Sequence, residues 1–297
     1  MSDGKPRDHH FVPVFYLRQW HNGNKKLFEH KRVYDGRIAQ KEVSATATGF
    51  QRDLYAFPTL GSAGYDQYLE NRFFKLVDDE GAIALHRLLE RDPNPWTPEH
   101  RSGWSRFLLS VRLRHPDAMN ELKAAIPTAW NRGSAASQAG YERLRKPDDP
   151  GTFEEFIARR DPHVMDKVSV NMIMRAIENV EIGTHINGMH WRVFEVKGSR
   201  HDLITSDRPV HYYCLREEHG FISLPIAPRK LFVAANSPRV LNDLLHVNPT
   251  RVVSEVNKRI AAQARRYVYT QSREANAKLI EKYFGIALEP SPLFPSL

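Results

Sequence analysis

The chain has 297 residues, of which 41% are hydrophobic and 26% are charged, so it is long enough to bury a substantial core. Its single cysteine excludes an internal disulfide framework and a cysteine-based zinc site. The net charge of +8 suits an anionic partner such as nucleic acid or a nucleotide. A basic protein without such a partner explains the charge equally well.

We predict the cellular location from two kinds of segment that the sequence does not show, a signal peptide and a membrane-spanning helix. The first residues are polar and contain no apolar core of a signal peptide. No apolar run reaches the length of about 18 residues that a membrane-spanning helix needs. We therefore expect a cytoplasmic protein with no membrane partner.

The N-terminal part, up to about residue 60, has the pattern of a β-rich segment. Residues 27–44 resemble two strands joined at Asp35-Gly36, a strong hairpin signal. His9 and His10 precede an apolar segment, and neighbouring side chains of a strand point to opposite faces, so one histidine is expected to face inward. A buried imidazole bonded to a carbonyl explains this pair as well as a metal ligand or a general base does.

Helices are predicted for the central part of the chain. Apolar residues recur at three- and four-residue steps over 65–91, and Thr97 is a typical N-cap. A further apolar stripe predicts helix over 153–182. The polar segment 132–151 is expected to form a mobile loop or an internal boundary.

Strand signals return after the helices, and a last helix is predicted over about 249–266. This order favours an α+β fold over repeated βαβ units. We expect a mixed or antiparallel sheet built from N-terminal and C-terminal strands, with a central helical bundle. The chain is interpreted as a single domain, 1–297, with a helical insertion at about 65–182.

Two glutamates are candidates for chemistry on the first predicted helix. Glu80 continues the apolar stripe that includes Leu69 and Ala84, and an unpaired buried carboxylate is costly, so Glu80 needs a cationic, hydrogen-bonded or metal partner. Glu70 lies about 80° from it around the helix axis. The two could hold a divalent cation or divide acid and base roles. A helix break at Gly81 would instead turn Glu80 to solvent.

A second polar group follows a short predicted strand, where Ser206 and Asp207 precede Arg208-Pro209. Residues at strand ends often carry chemistry, so Asp207 could be a ligand or a base and Ser206 could donate to an anion. The commoner use of such a sequence is a turn in which the aspartate bonds backbone amides.

Arginines and one asparagine complete the set of candidates. Four arginines and no acid occur between residues 101 and 114, and Arg112 lies at the edge of the predicted buried face. Because guanidinium groups bind phosphate or carboxylate oxygens in pairs, Arg112 and Arg18 are candidates for binding substrate. A solvated basic helix face is the commoner explanation. Asn257 abuts the apolar face of the last helix and is expected to orient another site group.

Several of these stretches together resemble a known family, called domain of unknown function 4238. The resemblance covers roughly 9–270 and rests, in chain order, on DHHFVPVFYLRQW, RDLYAF, the Glu70 and Glu80 helix, RLRHP, ITSDRPV, SLPIAP and the Asn257 helix. Arg208 stands where the family more often has asparagine. The resemblance implies that the histidine pair, Asp207 and the glutamates form one site, but it implies no reaction.

The sequence therefore leaves two candidate functions. The first is a metal-assisted, nuclease-like hydrolase of phosphodiesters, with Mg²⁺ or Mn²⁺ as the hard cation that carboxylates prefer. Its catalytic residues would be His9, His10, Ser206 and Asp207, its metal ligands Glu70, Glu80 and Asp207, and its substrate-binding residues Arg18, Arg112 and Asn257. A role in defence is compatible with either function.

The second function is a non-catalytic binding or sensor module. The same polar cluster would then brace the core through ion pairs, for example between Arg112 and Glu80, or bind a small anionic ligand. Convergence of a histidine, Asp207 and a glutamate in an open pocket would favour the enzyme. Sealed pairs with arginine would favour the brace.

Overall fold

The computed structural model describes residues 7–56 and 68–289. Within these ranges the strands form three antiparallel sheets, and the predicted α+β class is confirmed. The strands are β1 Asp8–His10, β2 Leu27–Arg32, β3 Ile38–Val43, β4 Phe50–Arg52, β5 His190–Glu195, β6 Thr205–Ser206, β7 His211–Tyr213, β8 Phe221–Ala227, β9 Lys230–Ala235 and β10 Val268–Thr270. The helices are α1 Val14–Leu17, α2 Lys75–Glu90, α3 Pro98–Leu113, α4 Pro116–Leu144, α5 Phe153–Arg160, α6 Val164–Ile177, α7 Val180–Gly188, α8 Pro238–Leu245, α9 Pro249–Gln263 and α10 Ala277–Tyr283.

One four-stranded sheet joins the two ends of the described chain, in the order β3-β2-β10-β6. The predicted hairpin is confirmed, because β2 and β3 pair from Leu27 with Val43 to Arg32 with Ile38. Gly36 in the turn has φ +80°, a conformation that glycine adopts without strain. The predicted sheet of N-terminal and C-terminal strands is therefore present.

A second four-stranded sheet, ordered β5-β9-β8-β7, separates two apolar cores. Successive side chains of a strand alternate between faces, so Ile222 and Phe232 pack into the core formed with α2 and α3. Phe221 and Val233 face the other core, which α8 and α9 cover. The β1-β4 pair is a separate two-stranded sheet. The single-domain interpretation of the whole chain stays a prediction.

The first central helix begins with a π-helical turn, Leu69–Phe74, which adds a residue to one turn. The extra residue shifts the apolar face of α2, so Val77 is buried while Leu76 is 53% exposed. The predicted stripe through Leu76 and position 80 is therefore wrong. Gly81 does not break the helix, and Glu80 lies half-buried at the edge of the packed face.

Helix α4 is longer than the sequence pattern indicates. The predicted loop over 132–151 is wrong for residues 132–144, which continue the helix. Alanines favour helix there, and Tyr141 packs on Phe156 of α5 at 5.1 Å between ring centroids. Thr97 caps α3 as predicted, by accepting a bond from the His100 amide. Within the described ranges, no helix combines the length and apolarity needed to cross a bilayer.

Candidate functional site

The Asp207 carboxylate ties three elements together. The side chain is fully buried just after β6. Its Oδ1 accepts a bond from the Arg265 amide at 3.0 Å, and its Oδ2 accepts one from the Arg266 amide at 2.6 Å. The His115 ring lies 3.2 Å from Oδ2 through Nε2. We call this arrangement the Asp207–His115 brace, because it fastens the end of β6 to the α9–β10 connection and to the start of α4.

The hydrogen bonds around His115 fix its tautomer. His115 is the N-cap of α4, and its Nδ1 accepts a bond from the Asp117 amide at 3.2 Å. A guanidinium nitrogen of Arg208 also faces Nδ1, at 3.4 Å. Because Nδ1 accepts, the ring proton is on Nε2 and is donated to Asp207. Both ring nitrogens are engaged, so this imidazole has no free lone pair for a substrate proton.

Ser206 and Asn257 hold the chain around the brace. Ser206 is buried, and its Oγ accepts a bond from the Arg208 amide at 3.1 Å, as in a simple turn. Asn257 faces inward from α9, and its Oδ1 accepts a bond from the Ile204 amide at 3.0 Å. Its Nδ2 donates to the Asp202 carbonyl at 2.8 Å. Asn257 therefore bonds to the backbone before Asp207, and Ser206 bonds to the backbone just after it.

The histidine pair lies on β1. His9 is fully buried, and its Nδ1 accepts a bond from the Tyr55 amide at 2.9 Å while the two rings stack 5.3 Å apart. His10 is only half-buried and bonds the Thr46 carbonyl at 3.3 Å. Burial lowers the pKa of His10, so its neutral form predominates at neutral pH. The opposite orientations match the expectation for neighbours in a strand.

An ion pair with a buried arginine and a half-buried aspartate links α2 to the end of α3. Arg114 is 1% exposed, and its two terminal nitrogens donate to the two carboxylate oxygens of Asp78. The Tyr55 hydroxyl donates to the Arg114 carbonyl at 2.8 Å, and the Phe74 ring lies 5.4 Å from the guanidinium. Such a two-point arginine contact is the strong form of an ion pair.

Glu70 adds a second carboxyl group near this ion pair. Its Oε2 is buried and has no hydrogen-bond partner among the described residues. Burial raises the pKa of Glu70 to about 7, Arg114 opposes the increase and Asp78 adds to it. A carboxyl that is half protonated at neutral pH suits acid–base chemistry, although burial alone produces the same effect in a structural group.

Because of this raised pKa, we expect Glu70 to destabilise the folded state by an amount that depends on pH. Well below its unfolded pKa of about 4.5 the carboxyl is protonated in both states. The cost of ionising it in the folded state accumulates as the pH rises from about 4.5 to about 7 and is constant above that. We expect Glu70→Gln to match the parent at pH 4.5 and to be more stable by up to about 3 kcal/mol at pH 8. Urea unfolding across this range measures the difference, and parallel pH profiles would contradict it.

Glu80 and Arg112 are not paired with each other. Glu80 accepts a bond from Arg106 at 2.5 Å, and Arg106 also lies 3.9 Å from Glu178. The guanidinium of Arg112 instead lies 5.2 Å from the centre of the Tyr212 ring. The ion pair predicted between Arg112 and Glu80 is therefore wrong, because the arginine that pairs with Glu80 is Arg106.

The three predicted metal ligands have different neighbours. Glu70 interacts with Arg114, Glu80 with Arg106, and Asp207 with backbone amides and His115. In residues 7–56 and 68–289, no three His, Cys, Asp or Glu side chains are grouped so that they could hold a metal ion. The described residues therefore do not fit the expected Mg²⁺ or Mn²⁺ site, and the brace and the Glu70 group are separate.

An open cleft of about 410 Å³ lies beside the brace. Arg112 from the end of α3 and Arg208 from the segment after β6 line it, with Gln263 from α9 and Glu121 from α4. Apolar side chains complete its walls. Arg18, the other predicted substrate-binding arginine, is exposed on a short 3₁₀ turn and is not among the residues that line the cleft.

Sequence reasoning missed His115 and Arg208 as members of the site. The signal for His115 is its place directly before Pro116, since a residue that precedes a proline at a helix start is an N-cap candidate. Arg208 is visible in the sequence only as the residue between Asp207 and Pro209. Its role depends on the approach of α4, which no local pattern indicates.

The sequence motifs meet through direct hydrogen bonds. Tyr16 of the first motif donates to the Pro225 carbonyl and bonds Thr205, both at 2.7 Å. The other links between motifs are His9 to Tyr55, Tyr55 to Arg114, His115 to Asp207, and Asn257 to Ile204. The motif residues thus form a buried framework around the cleft.

Comparison with known proteins gives one match. A family model described as a protein of unknown function (DUF4238) matches residues 8–274 of the chain. No curated protein and no solved structure matches it. The matched range includes every residue of the brace and of the adjoining cleft.

Proposed function

We propose that this chain, which belongs to the DUF4238 family, is a non-catalytic binding module whose cleft beside the Asp207–His115 brace holds a small anionic ligand. The proposal rests on one difference between the polar groups: some bond to groups inside the protein, and others line the cleft. Asp207 and His115 use their acceptors and donors inside the protein. Arg112 and Arg208 instead line the cleft, where Arg112 has no carboxylate partner among the described residues and Arg208 pairs with Asp117 at 3.1 Å.

The charge around the cleft supports an anionic ligand. Arg112 forms no ion pair within the described part of the chain, and its known neighbour is the neutral ring of Tyr212. Burial lowers the pKa of Arg208, Asp117 opposes this effect and Arg265 reinforces it. An anion between Arg112 and Arg208 would offset both the lost solvation and the repulsion from Arg265.

The volume of the cleft and the residues that line it limit the class of ligand that it can bind. A volume of about 410 Å³ is in the range of small-molecule sites. Guanidinium groups bind phosphate and carboxylate in the same two-point manner, so a phosphorylated or carboxylated metabolite, including a nucleotide, is the expected class. Glu121 adds an acceptor that favours a hydroxyl or amino group near the anion. We place this binding in the cytoplasm, where such metabolites are abundant.

Calorimetric titration of the full chain with inorganic phosphate and with acetate tests this proposal and separates the two anions. We expect Arg112→Gln to weaken binding by about tenfold or more, because a charged hydrogen bond is lost. Arg18→Gln is the matched control, since it removes an exposed arginine outside the cleft, and its affinity should equal that of the parent. Equal affinities of the parent and Arg112→Gln, or no binding at millimolar anion, would refute the proposal.

A second candidate function is phosphodiester hydrolysis, and Glu70 is the observation that favours it. Its pKa of about 7 and its unpartnered oxygen suit a group that gives or takes a proton. Incubation of the parent with DNA, RNA and cyclic nucleotides, with Mg²⁺ or Mn²⁺ added, tests this function. Turnover that Glu70→Gln abolishes would favour the hydrolase. A parent with no turnover would favour the binding module.

A further inference from the structure

A second cleft, of about 360 Å³, lies at the other end of α3 from the anion cleft. We propose that it binds a nucleotide unit, with the base stacked on Trp96 and the phosphate held by Arg101. Its walls are the end of α2, the segment before α3 and the edge strand β5. Arg101 in this cleft and Arg112 in the other are about 16 Å apart along α3, so the inference does not rest on the first cleft.

Two tryptophans give this cleft an aromatic surface. Trp96 and Trp191 are both half-buried, and their rings meet edge to face with 5.5 Å between centroids. The guanidinium of Arg101 lies 3.9 Å from the centre of the Trp191 ring, and that of Arg87 lies 5.4 Å from the Trp96 ring. Indole rings at the edge of a charged cleft are the surfaces on which proteins stack bases.

The cleft also carries uncompensated positive charge. Arg87 lies 3.3 Å from Asp92, and Arg91 lies 3.1 Å from Glu195, so these two arginines have acidic partners. The guanidinium of Arg101 instead donates to the carbonyls of residues 187 and 189, both at 2.9 Å. Arg192 follows Trp191 on β5, so its side chain leaves the opposite face of the strand, and its guanidinium lies 5.9 Å from the centre of the Phe194 ring. Among the described residues of this cleft, the charge of Arg101 therefore remains for a phosphate.

The position of Trp96 is fixed before any ligand binds. Arg87 donates to the carbonyls of Asn94 and Pro95, at 2.8 and 3.1 Å, and so holds the segment that leads to the tryptophan. The prolines of this segment restrict its backbone further. A site that is already ordered loses little conformational entropy on binding.

A purely structural cation–π brace would also bring arginine and tryptophan together. Such pairs stabilise only weakly at exposed sites, and a brace gives no reason for the charge of Arg101 to lack an acidic partner. A ligand with both an aromatic ring and an anion accounts for the tryptophans and for the charge together. Nucleotides combine these two chemistries, either free or as units of a single strand.

Titration of the full chain with uridine monophosphate, a 12-residue oligothymidine and ribose 5-phosphate tests the proposal through tryptophan fluorescence. We expect the first two to quench the fluorescence and the base-free sugar phosphate to bind at least tenfold more weakly. Tighter binding of the oligonucleotide would identify a single strand as the source, and equal binding a free nucleotide. No quenching at millimolar ligand, or equal binding of ribose 5-phosphate, would overturn the proposal.

Substitutions test whether the nucleotide binds in this cleft. By calorimetry, we expect Trp96→Ala to bind roughly tenfold or more weakly and Trp96→Phe to stay close to the parent, because phenylalanine still stacks. Arg101→Gln should weaken binding and lower its salt dependence. Trp130→Ala on α4 and Arg192→Gln, on the other face of β5, are the matched controls and should bind as the parent does. Unchanged binding in both Trp96→Ala and Arg101→Gln would overturn the assignment.

Discussion

Replacing Asp207 with alanine is expected to lower the free energy of unfolding by about 3–5 kcal/mol, because it removes a buried carboxylate that accepts three hydrogen bonds. The amides of Arg265 and Arg266 and the Nε2 proton of His115 would lose their partner. The side chains of Asp207 and His115 are fully buried, so water cannot replace the carboxylate beside His115 without rearrangement. Urea unfolding followed by circular dichroism measures the loss.

Ser206→Ala is the matched control for this substitution. Ser206 is also fully buried and adjacent, but its hydroxyl accepts a single bond, from the Arg208 amide. We expect Ser206→Ala to cost only about 1 kcal/mol. If Asp207→Ala unfolds at the same urea concentration as Ser206→Ala or the parent, the brace does not stabilise the fold as the contacts indicate.

Replacing Arg114 with methionine is the second large expected effect, with a loss of about 3 kcal/mol or more. Methionine keeps much of the side-chain length but leaves the Asp78 carboxylate without its two-point partner. Arg114 also opposes the raised pKa of Glu70, so its removal should move the ionisation of Glu70 to still higher pH. Denaturant unfolding at several pH values measures both consequences.

Arg106→Met provides a matched comparison on the same helix. Arg106 also pairs with a carboxylate of α2, that of Glu80, but these side chains are 27% and 36% exposed, against 1% for Arg114 and 27% for Asp78. Ion pairs open to solvent contribute little, so we expect a loss of less than about 1 kcal/mol. Equal losses in Arg106→Met and Arg114→Met would show that burial does not decide the strength of these pairs.

The sequence predicted those parts of the fold that depend on a few neighbouring residues. The turn at Asp35-Gly36 and the cap at Thr97 each depend on a few adjacent residues, and both are present. The α+β class follows from the order of strand and helix signals along the chain.

The errors arise where tertiary packing overrides the local pattern. The π-helical turn before α2 rotates the apolar face by one residue, which removes Glu80 from the buried stripe. The second half of α4 is helical although its sequence is polar, because Tyr141 has a partner on α5. In the case of α4, a contact with another element accompanies the departure from the local pattern.

The sequence offered candidate residues for a site but not their arrangement. Asp207, Asn257 and His9 are buried polar side chains. The partners that define their roles lie far away in the sequence, as His115 does for Asp207. Spacing rules cannot supply such partners, so the sequence could not separate a brace from a reactive centre.

The position of β10 between β2 and β6 has a consequence for folding during protein synthesis. The N-terminal hairpin leaves the ribosome long before the strand that pairs with Phe28, Glu29 and His30 has been made. Until then, the inner edge of that hairpin exposes unpaired backbone groups that can join another nascent chain. We therefore expect the newly made polypeptide to depend on chaperones and to aggregate at high expression rates, a burden that slower translation would relieve.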